Sequence, residues 1–377
     1  MIYWLYEHRD LFSSSEGLLY KVLNIFKYHT FRSGGAALTA FFLSLMFGDR
    51  LIRRLISMKI GQPVRSAEEV HKLYELHGKK AGTPTMGGIL ILGTIVVSTL
   101  IWAKWENLLV WTVLFTTIGL GLLGFWDDYL KISKKNSKGV SARVKLLWQT
   151  SVAVIAASLF AYGIGPVEGE ASLRALYIPF FKSAVIPDMG LLAIPFFTLI
   201  IVGASNAVNL TDGLDGLATG CSLTTALAYA GFGYICGNVR YSGYLDVPYF
   251  SAAAEIPIIA MALAGACLGF LWFNAHPARM FMGDTGSLAL GGCIAALAIG
   301  CKQEVVLVLV GGVFVMEALS VMIQVVSFKT RGKRVFRMSP IHHHFELGGW
   351  HENQVIVRFW ILSLTFALMA LATLKIR

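Results

Sequence analysis

The sequence predicts an all-α polytopic membrane protein with about ten transmembrane helices. Its 377 residues are 56% hydrophobic and only 14% charged, and the mean hydropathy is +0.65. These values are far more apolar than those of an ordinary globular chain. A helix needs about 20 apolar residues to cross a hydrocarbon core ~30 Å thick, and the chain has room for about ten such helices. We therefore expect residues 1–377 to form a single integral membrane domain.

The apolar segments follow one another along the whole chain. Each has the length and composition of a transmembrane helix and is bounded by charged or glycine-rich sequence. The predicted spans lie near residues 33–56, 85–103, 108–127, 145–163, 191–209, 212–235, 253–271, 280–300, 304–328 and 354–374. Little chain remains outside them for a separate soluble domain.

Residues 1–32 precede the first predicted span and are rich in aromatic and charged side chains. They lack the basic start, apolar core and small-residue cleavage site of a signal peptide. We expect them to form an interfacial segment that lies on the periplasmic face of the membrane.

The formal net charge of +10 comes mainly from loops between spans. The basic residues concentrate after the first, third and ninth spans, at Arg50, Arg53, Arg54, Lys59, Arg65, Lys72, Lys79, Lys80, Lys131, Lys134, Lys135, Lys138, Arg143, Lys145, Lys329, Arg331, Lys333, Arg334 and Arg337. The positive-inside rule makes these loops cytoplasmic, and an even number of spans then places both termini outside. Contact with anionic membrane lipids explains most of this charge, which argues against nucleic acid as a partner.

Four polar clusters interrupt the apolar sequence at span ends. They lie at 127–128, 206–215, 274–284 and 342–344. In the predicted topology all four fall on the cytoplasmic side. Independent polar turns would be scattered between the two faces, so a common face predicts a single cytoplasmic site. An aspartate inside a bilayer costs about 2.5–3.5 kcal/mol on insertion scales, and acids retained at such positions are usually functional.

The entrance to the second span carries the sequence GTPTMGG at 82–88, preceded by Lys79 and Lys80. Glycine allows close approach of the backbone to an anion, and lysine supplies a point charge for phosphate. Close helix packing is the alternative explanation of these glycines. The sequence GLGLLG at 119–124 has no preceding strand, so we interpret it as helix packing rather than a dinucleotide site.

Three groups of side chains offer candidate chemistry. Asp127 and Asp128 are adjacent and so point about 100° apart on a helix, one as a base or nucleophile and the other towards a metal or lysine. Asp212 and Asp215 are three residues apart, which at a helix start would place both carboxylates on one face. Oxygen ligands of this kind suit Mg²⁺, and Asn274 and Asp284 add more of them.

The third group is the run His342, His343 and His344, in a predicted cytoplasmic loop at 329–353. Three consecutive histidines cannot all point the same way, so the run by itself does not predict a three-histidine metal site. Imidazoles beside a phosphate can donate hydrogen bonds or a proton. Together the clusters indicate phosphate chemistry on a lipid-borne group, with Mg²⁺ as cofactor.

These motifs resemble one enzyme family over essentially the whole chain and in order. GTPTMGG, the Asp127-Asp128 pair, NAVNLTDGLDGLA, FLWFNAHPARMFMGDTGSLALGG and RMSPIHHHFEL are similar to the phospho-N-acetylmuramoyl-pentapeptide transferases, of the polyprenyl-phosphate N-acetylhexosamine-1-phosphate transferase superfamily. The resemblance implies a ten-helix enzyme of the bacterial inner membrane, with a cytoplasmic active-site cleft and both termini periplasmic. The stretch 65–76 matches least well.

The activity implied by the resemblance is the first membrane step of peptidoglycan synthesis. Such an enzyme transfers phospho-MurNAc-pentapeptide from UDP-MurNAc-pentapeptide to undecaprenyl phosphate, giving lipid I and UMP, with Mg²⁺. A homodimer surrounded by membrane lipids is also implied.

The resemblance also implies roles for individual residues. Asp127 would attack or deprotonate the lipid phosphate, Asp284 would hold Mg²⁺, and Phe281 would stack on uracil. The full set of expected site residues is: catalytic Asp127, Asp128, Asp212 and His343; substrate-binding Lys80, Thr85, Lys131, Asn206, Asn209, Asp215, Asn274, Phe281, His342 and His344; metal-binding Asp284 and Asp212.

Two alternatives stay open at this point. A related enzyme would use UDP-GlcNAc for another polymer, although the PIHHH run and the GTPTMGG sequence favour the muramoyl substrate. An ion-coupled secondary transporter would carry its acids near the middle of the membrane, whereas these acids cluster at one face.

Overall fold

The computed structural model describes residues 1–12, 17–58, 82–134, 139–165 and 169–375. Across these ranges the backbone is almost entirely helical, and β-type pairing is limited there to isolated bridges such as that between Leu176 and Ile186. The prediction of an all-α protein is confirmed.

We number the α-helices of the described ranges in chain order. The first eight are α1 Ile2–Glu7, α2 Leu18–Leu23, α3 His29–Ser57, α4 Gly88–Trp102, α5 Leu108–Ser133, α6 Ala142–Ser158, α7 Ala193–Thr211 and α8 Leu217–Cys236. The others are α9 Val239–Leu245, α10 Ile256–Asn274, α11 Gly283–Gly300, α12 Leu307–Val310, α13 Gly312–Arg331, α14 Ile341–Glu346 and α15 Glu352–Ala372.

Eight helices of the described ranges are long and apolar enough to cross a membrane. They are α3, α5, α6 with its extension to Gly163, α7, α10, α11, α13 and α15. Helix α4 is apolar but has only 15 residues, and α8 has 20 residues that include three threonines and one serine. Each of the ten predicted spans therefore coincides with helical structure, and the prediction of a polytopic membrane protein is confirmed.

Several predicted boundaries were wrong by a few residues. The sixth span begins at Leu217, not residue 212, and the eighth begins at Gly283, not residue 280. Gly216 and Gly283 have φ values of +75°, which only glycine adopts readily, so each interrupts the helical backbone just before or at the start of its helix. The loop predicted from residue 329 starts later, because α13 continues to Arg331 and is capped by Gly332 at φ +64°.

Helices α10 and α11 form the centre of the bundle. Within their spans 78% and 89% of the residues are buried, against 28% for α3 and α13. Surrounded helices can be apolar on every side, as these two are. Small residues allow close contact: a β-carbon on Gly265 of α10 would overlap the Ala37 backbone, and one on Gly291 of α11 would overlap the Ala204 backbone. Packing through glycine and alanine is common between helices in membranes.

One such contact positions the polar residues of α5. Gly124 of α5 lies directly against the backbone of Asp284 and Thr285, in the first turn of α11. The other glycines of GLGLLG pack against side chains, Gly119 against Val152 and Gly121 against Leu92. The interpretation of this motif as helix packing is confirmed. Because Gly124 is one turn before Asp127 and Asp128, the contact brings those acids beside Asp284.

Candidate active site

Three carboxylates converge where α5 meets the start of α11. Asp127, Asp128 and Asp284 each place an oxygen within 4.8 Å of the other two. Asp127 and Asp128 are 3% and 4% exposed. We call these three residues the acid cluster. They come from sequence positions more than 150 apart, and only the contact between α5 and α11 joins them.

Asp127 and Asp128 face different partners, as their adjacency in the sequence predicted. Asp127 Oδ1 accepts a hydrogen bond from the Val140 backbone N–H at 2.8 Å. Asp128 accepts from the backbone N–H groups of Asp284 and Thr285, at 3.1 and 2.9 Å, and from Thr285 Oγ1 at 2.8 Å. The first N–H groups of a helix have no partner within it, so Asp128 caps α11 from another helix. It thereby fixes the first turn that carries Asp284.

Two lysines neutralise part of this negative charge. Lys131 Nζ is 2.5 Å from Asp127 Oδ2 and 2.9 Å from Asp284 Oδ2. Lys145 Nζ is 3.0 Å from the same Asp284 oxygen. Asn209 donates to the other oxygen, Asp284 Oδ1, at 2.7 Å. Asp284 therefore lies at the centre of the cluster. From the sequence Lys145 is predicted only as one of the loop cations, because nothing in its spacing indicates that it reaches Asp284.

Asp212 and Asp215 do not share a helix face, so that expectation was wrong. Both belong to the turn between α7 and α8, where Asp212 ends α7 and Gly216 takes a left-handed conformation. Their side chains therefore have different surroundings. Among the described residues Asp212 does not join the acid cluster, and its assignment as a metal ligand stays a prediction. Burial and, to a smaller extent, the nearby Asp284, Asp128 and Asp215 carboxylates raise the pKa of Asp212 well above its usual value.

Asp215 belongs to a second group, with His276 and Glu352. Asp215 Oδ2 is 3.1 Å from His276 Nδ1 and accepts from the Ala278 backbone N–H at 3.0 Å. The same His276 nitrogen is 3.4 Å from Glu352 Oε2, and Glu352 Oε1 accepts from the Asp215 N–H at 3.3 Å. The group joins the turn to the loop after α10 and to the start of α15. Sequence reasoning missed His276 and Glu352, since no spacing connects them with Asp215.

The loop before α11 pairs with the GTPTMGG segment. Phe281 N–H donates to Pro84 O at 2.8 Å, and its own carbonyl accepts from Gly87 N–H at 2.9 Å. Thr85, which is buried, lies with Asp128 beside the left-handed Gly283, where a β-carbon would contact both. These contacts place Phe281 and Thr85 next to the acid cluster. Lys80 lies outside the described residues.

Two asparagines of the expected substrate set hold the protein together. Asn274 is 2% exposed; its amide nitrogen donates to Met280 O at 2.9 Å and its oxygen accepts from Thr219 Oγ1 at 3.0 Å. Both ends of its amide are thus used inside the protein, and the expectation that Asn274 binds substrate stays a prediction. Asn206 donates to Val202 O at 2.8 Å and to Gln149 Oε1 at 3.1 Å, which joins α7 to α6.

The three histidines point in three directions, as predicted. His342 is completely buried, 3.1 Å from Glu317 Oε1, and its ring lies against Gly213. His343 Nδ1 is 2.8 Å from Glu346 Oε2, whereas His344 accepts from the Arg337 backbone N–H at 3.1 Å. The expected contact of His342 with phosphate has no exposed ring atom in this structure, because the ring is enclosed.

The structure brings the polar clusters predicted from the sequence into one region. Asp284 meets the Asp127-Asp128 pair directly, Asn209 donates to Asp284, and the histidine run touches the turn that carries Asp212. Oxygen ligands with lysines beside them, on a membrane scaffold, suit the handling of a charged diphosphate. The fold and the site thus define a multi-pass membrane transferase.

Comparison with known proteins agrees with this class. Residues 110–302 match the family described as glycosyl transferase family 4, and residues 80–92 match signature 1 of the phospho-N-acetylmuramoyl-pentapeptide-transferases. A phospho-N-acetylmuramoyl-pentapeptide-transferase of Methylacidiphilum infernorum is 51% identical over 94% of this chain and 96% of its own. Those of Geobacter sp. strain M21 and Desulfotalea psychrophila are 52% and 53% identical, over 95% and 94% of this chain and 97% and 96% of theirs.

The chain belongs to the phospho-N-acetylmuramoyl-pentapeptide-transferase family, and the resemblance found in its motifs is confirmed. It is an enzyme, and the alternative of an ion-coupled transporter is excluded. Family membership of this kind also implies a nucleotide-linked sugar-peptide as donor and a lipid as acceptor.

Proposed function

We propose that the enzyme transfers phospho-MurNAc-pentapeptide from UDP-MurNAc-pentapeptide to undecaprenyl phosphate, the first membrane step of peptidoglycan synthesis. An oxygen of the lipid phosphate forms a bond to the phosphorus attached to the sugar. The bond from that phosphorus to the bridging oxygen breaks, and UMP leaves with the electron pair. The products are lipid I and UMP. The observation that carries this proposal is the acid cluster with its two lysines, in a chain of this family.

The acid cluster fits a magnesium ion. Its three members offer only oxygen atoms, all within 4.8 Å of one another, and Mg²⁺ is usually held by one or two carboxylates together with substrate phosphates and water. We propose Asp284 as the principal ligand, because it lies at the centre of the cluster. When bound, the ion would neutralise charge that develops on the diphosphate.

Asp127 is the proposed catalytic carboxylate of the cluster, acting as a base or as a nucleophile. One oxygen is held by Val140 N–H and the other by Lys131, so the carboxylate is fixed and its charge is partly balanced. It would either take the proton of the lipid phosphate or form a covalent bond to the transferred phosphorus. Release or exchange of UMP with the nucleotide donor alone, without lipid, would support the covalent route. Absence of both in an active preparation would support direct transfer.

The other polar residues are proposed to hold the donor. Lys131 and Lys145 lie within 3.0 Å of Asp284 and are positioned to bind phosphate oxygens, with Asn209 beside them. Asp212 would be protonated at higher pH than an ordinary aspartate, and a protonated carboxyl can donate a hydrogen bond to a substrate oxygen. Asp128 acts indirectly by capping the first turn of α11.

The nucleotide end is proposed to lie along the loop before α11 and the turn after α7. Phe281 would stack on uracil, with Asp215 nearby. Lys80, Thr85, Asn206, Asn274, His343 and His344 remain proposed substrate contacts. His342 is left out because it is buried, and it is considered separately below.

The remaining proposals concern the setting of the enzyme. Residues 1–377 would form one transferase domain in the bacterial inner membrane, with both termini periplasmic and the active site cytoplasmic. The basic loops around 131–145 and 329–337 support this orientation. A homodimer is also proposed from the family resemblance.

An assay of UMP release tests the function. The purified protein is incubated with Mg²⁺, undecaprenyl phosphate and either UDP-MurNAc-pentapeptide or UDP-GlcNAc. We expect UMP only with the first donor. Release with UDP-GlcNAc instead would indicate the related polymer-forming enzyme, and no release with either donor, in protein that remains folded, would refute the proposal.

A further inference from the structure

Helix α13 carries a carboxylate inside an otherwise apolar span. Glu317 and His342 both have side-chain exposures of 0%, and their closest atoms, Glu317 Oε1 and His342 Nδ1, are 3.1 Å apart. Acids within membrane helices are costly and rare, so the presence of Glu317 there needs a functional or structural reason. Glu317 is not among the residues predicted to be functional from the sequence, although an acid within the apolar sequence VFVMEALSV is a visible indication.

Neither side chain completes a hydrogen bond within the described part of the chain. Both carboxylate oxygens of Glu317 and both ring nitrogens of His342 are enclosed without one. The distance from Nδ1 to Oε1 is that of an ion pair, but the angle does not suit a hydrogen bond. Buried polar groups are nearly always bonded in native proteins. A small rotation of the imidazole would let Nδ1–H donate to Glu317, and that bond would leave Nε2 as the acceptor.

The other edge of the His342 ring contacts the Asp212–Gly216 turn. Nε2 lies so close to Gly213 that a β-carbon at this position would overlap it. Gly213 follows Asp212 directly and is two residues before Asp215. A continuous line of contact therefore runs from Glu317 in α13, through the imidazole in α14, to the turn beside the acid cluster.

We propose that Glu317 is a positioning residue that acts through His342 to hold the Asp212–Gly216 turn in the arrangement required for transfer. The carboxylate fixes the orientation of the imidazole, and the imidazole packs against the turn at Gly213. Glu317 itself is fully enclosed, and its carboxylate faces His342. This inference rests on the proposed function, because its main measurement is the rate of UMP release.

Two substitutions at Glu317 separate positioning from packing. Glu317→Gln keeps an oxygen that can accept from Nδ1–H, so we expect kcat within about threefold of wild type. Glu317→Leu has a similar volume but no acceptor, and we expect kcat to fall about 10- to 100-fold, as is typical when the partner that orients a functional histidine is removed. KM for both substrates should stay within about twofold. Replacing a buried ion by an apolar residue is often neutral or stabilising. If Glu317 served only for packing, the leucine variant would keep at least the stability and kcat of the wild type.

A double substitution tests whether the effect passes through His342. In a His342→Ala background, Glu317→Leu should cause no further loss of kcat, because the residue through which it acts is absent. If the losses multiply, or if Glu317→Leu alone retains wild-type kcat, the proposal is wrong. Should the leucine variant not fold, Glu317→Asp takes its place: it keeps the charge but withdraws the oxygen from Nδ1, and wild-type kcat in this variant would overturn the proposal.

Glu304→Gln is the matched control. The Glu304 side chain is also 0% exposed and forms a 2.7 Å ion pair with Lys302. This pair follows the far end of α11, whose last residue, Gly300, is about 24 Å along the helix from Asp284 at 1.5 Å per residue. We expect this variant to melt at a lower temperature but to keep its kcat. Wild-type protein assayed beside the variants separates the two hypotheses: no UMP from wild type refutes the proposed function, whereas active wild type with unaltered Glu317 variants refutes only the positioning role.

Discussion

The contact between Gly124 and α11 gives the sharpest prediction. In Gly124→Ala the new β-carbon would lie 2.6 Å from the Thr285 α-carbon and closer still to the Asp284 carbonyl group. Carbon atoms pack at about 3.5–4.0 Å, so α5 and α11 would have to separate by roughly 1 Å. The atoms involved are backbone, so no side-chain rotation can relieve the overlap.

This separation would act directly on the acid cluster. Asp127 and Asp128 follow Gly124 by one turn, and Asp284 is itself part of the overlapping backbone. A displacement of about 1 Å in a catalytic arrangement can cost about 100-fold in rate, and overpacking costs about 1–3 kcal/mol of stability. We expect Gly124→Ala to lower kcat about 100-fold and to lower the melting temperature measurably.

Gly121→Ala, three residues earlier on the same helix, is the control. Its β-carbon would meet the end of the Leu92 side chain at 2.8 Å and the Ala289 β-carbon at 3.4 Å, and the leucine can change rotamer. Both variants are assayed for UMP release and thermal unfolding in the same detergent. Wild-type kcat in Gly124→Ala, or equal losses of kcat in the two variants, would refute the reasoning that this contact sets the cluster geometry.

Three further predictions concern the polar residues. Asp284→Asn should abolish the rise in melting temperature that Mg²⁺ causes in the wild type, where an ion at 100 times its Kd stabilises by about 2.7 kcal/mol; an undiminished rise would show that another residue dominates binding. Lys145→Met should lower kcat about tenfold, equivalent to ~1.4 kcal/mol, because the 3.0 Å contact with Asp284 is lost, and an unchanged kcat would assign Lys145 to loop charge alone. Asp212→Asn, measured in EDTA so that no metal is bound, should raise the melting temperature more at pH 8 than at pH 5. Because burial raises the pKa of Asp212 above 3.8, folding favours its protonated form, and stability is lost as pH rises from the ordinary pKa through the folded one. Equal shifts in melting temperature at the two pH values would contradict this sign.

The acid cluster also explains why a membrane protein retains so many polar groups at helix ends. Asp128 occupies the N-terminus of α11, Asn209 and two lysines surround Asp284, and Asp127 is fixed by a backbone N–H. Each group is held by another, and the two lysines offset part of the negative charge before any substrate arrives. An arrangement held in advance in this way loses little energy to reorganisation during the reaction.

The sequence by itself determined the membrane class, the approximate positions of the spans and the acids of the cluster. Spans can be recognised from short stretches of sequence. About 20 successive apolar residues in a membrane can form all their backbone hydrogen bonds within one segment only as a helix. The Asp127-Asp128 pair and Asp284 were identified because charged residues at span ends are costly unless they have a function. The longer motifs added the family, which the comparisons confirmed.

The tertiary structure alone decided which polar residues meet. Lys145 reaches Asp284 across 139 residues of sequence, and Glu352 reaches Asp215 across 137. Such pairs depend on how the helices pack, and no short sequence pattern predicts that packing. The same reason explains the errors: Asp212 and Asp215 were placed on one helix face, but the chain turns at Gly216 and sends their side chains to different neighbours. His342 was expected at the phosphates, and its burial against Glu317 follows from the packing of α13 and α14.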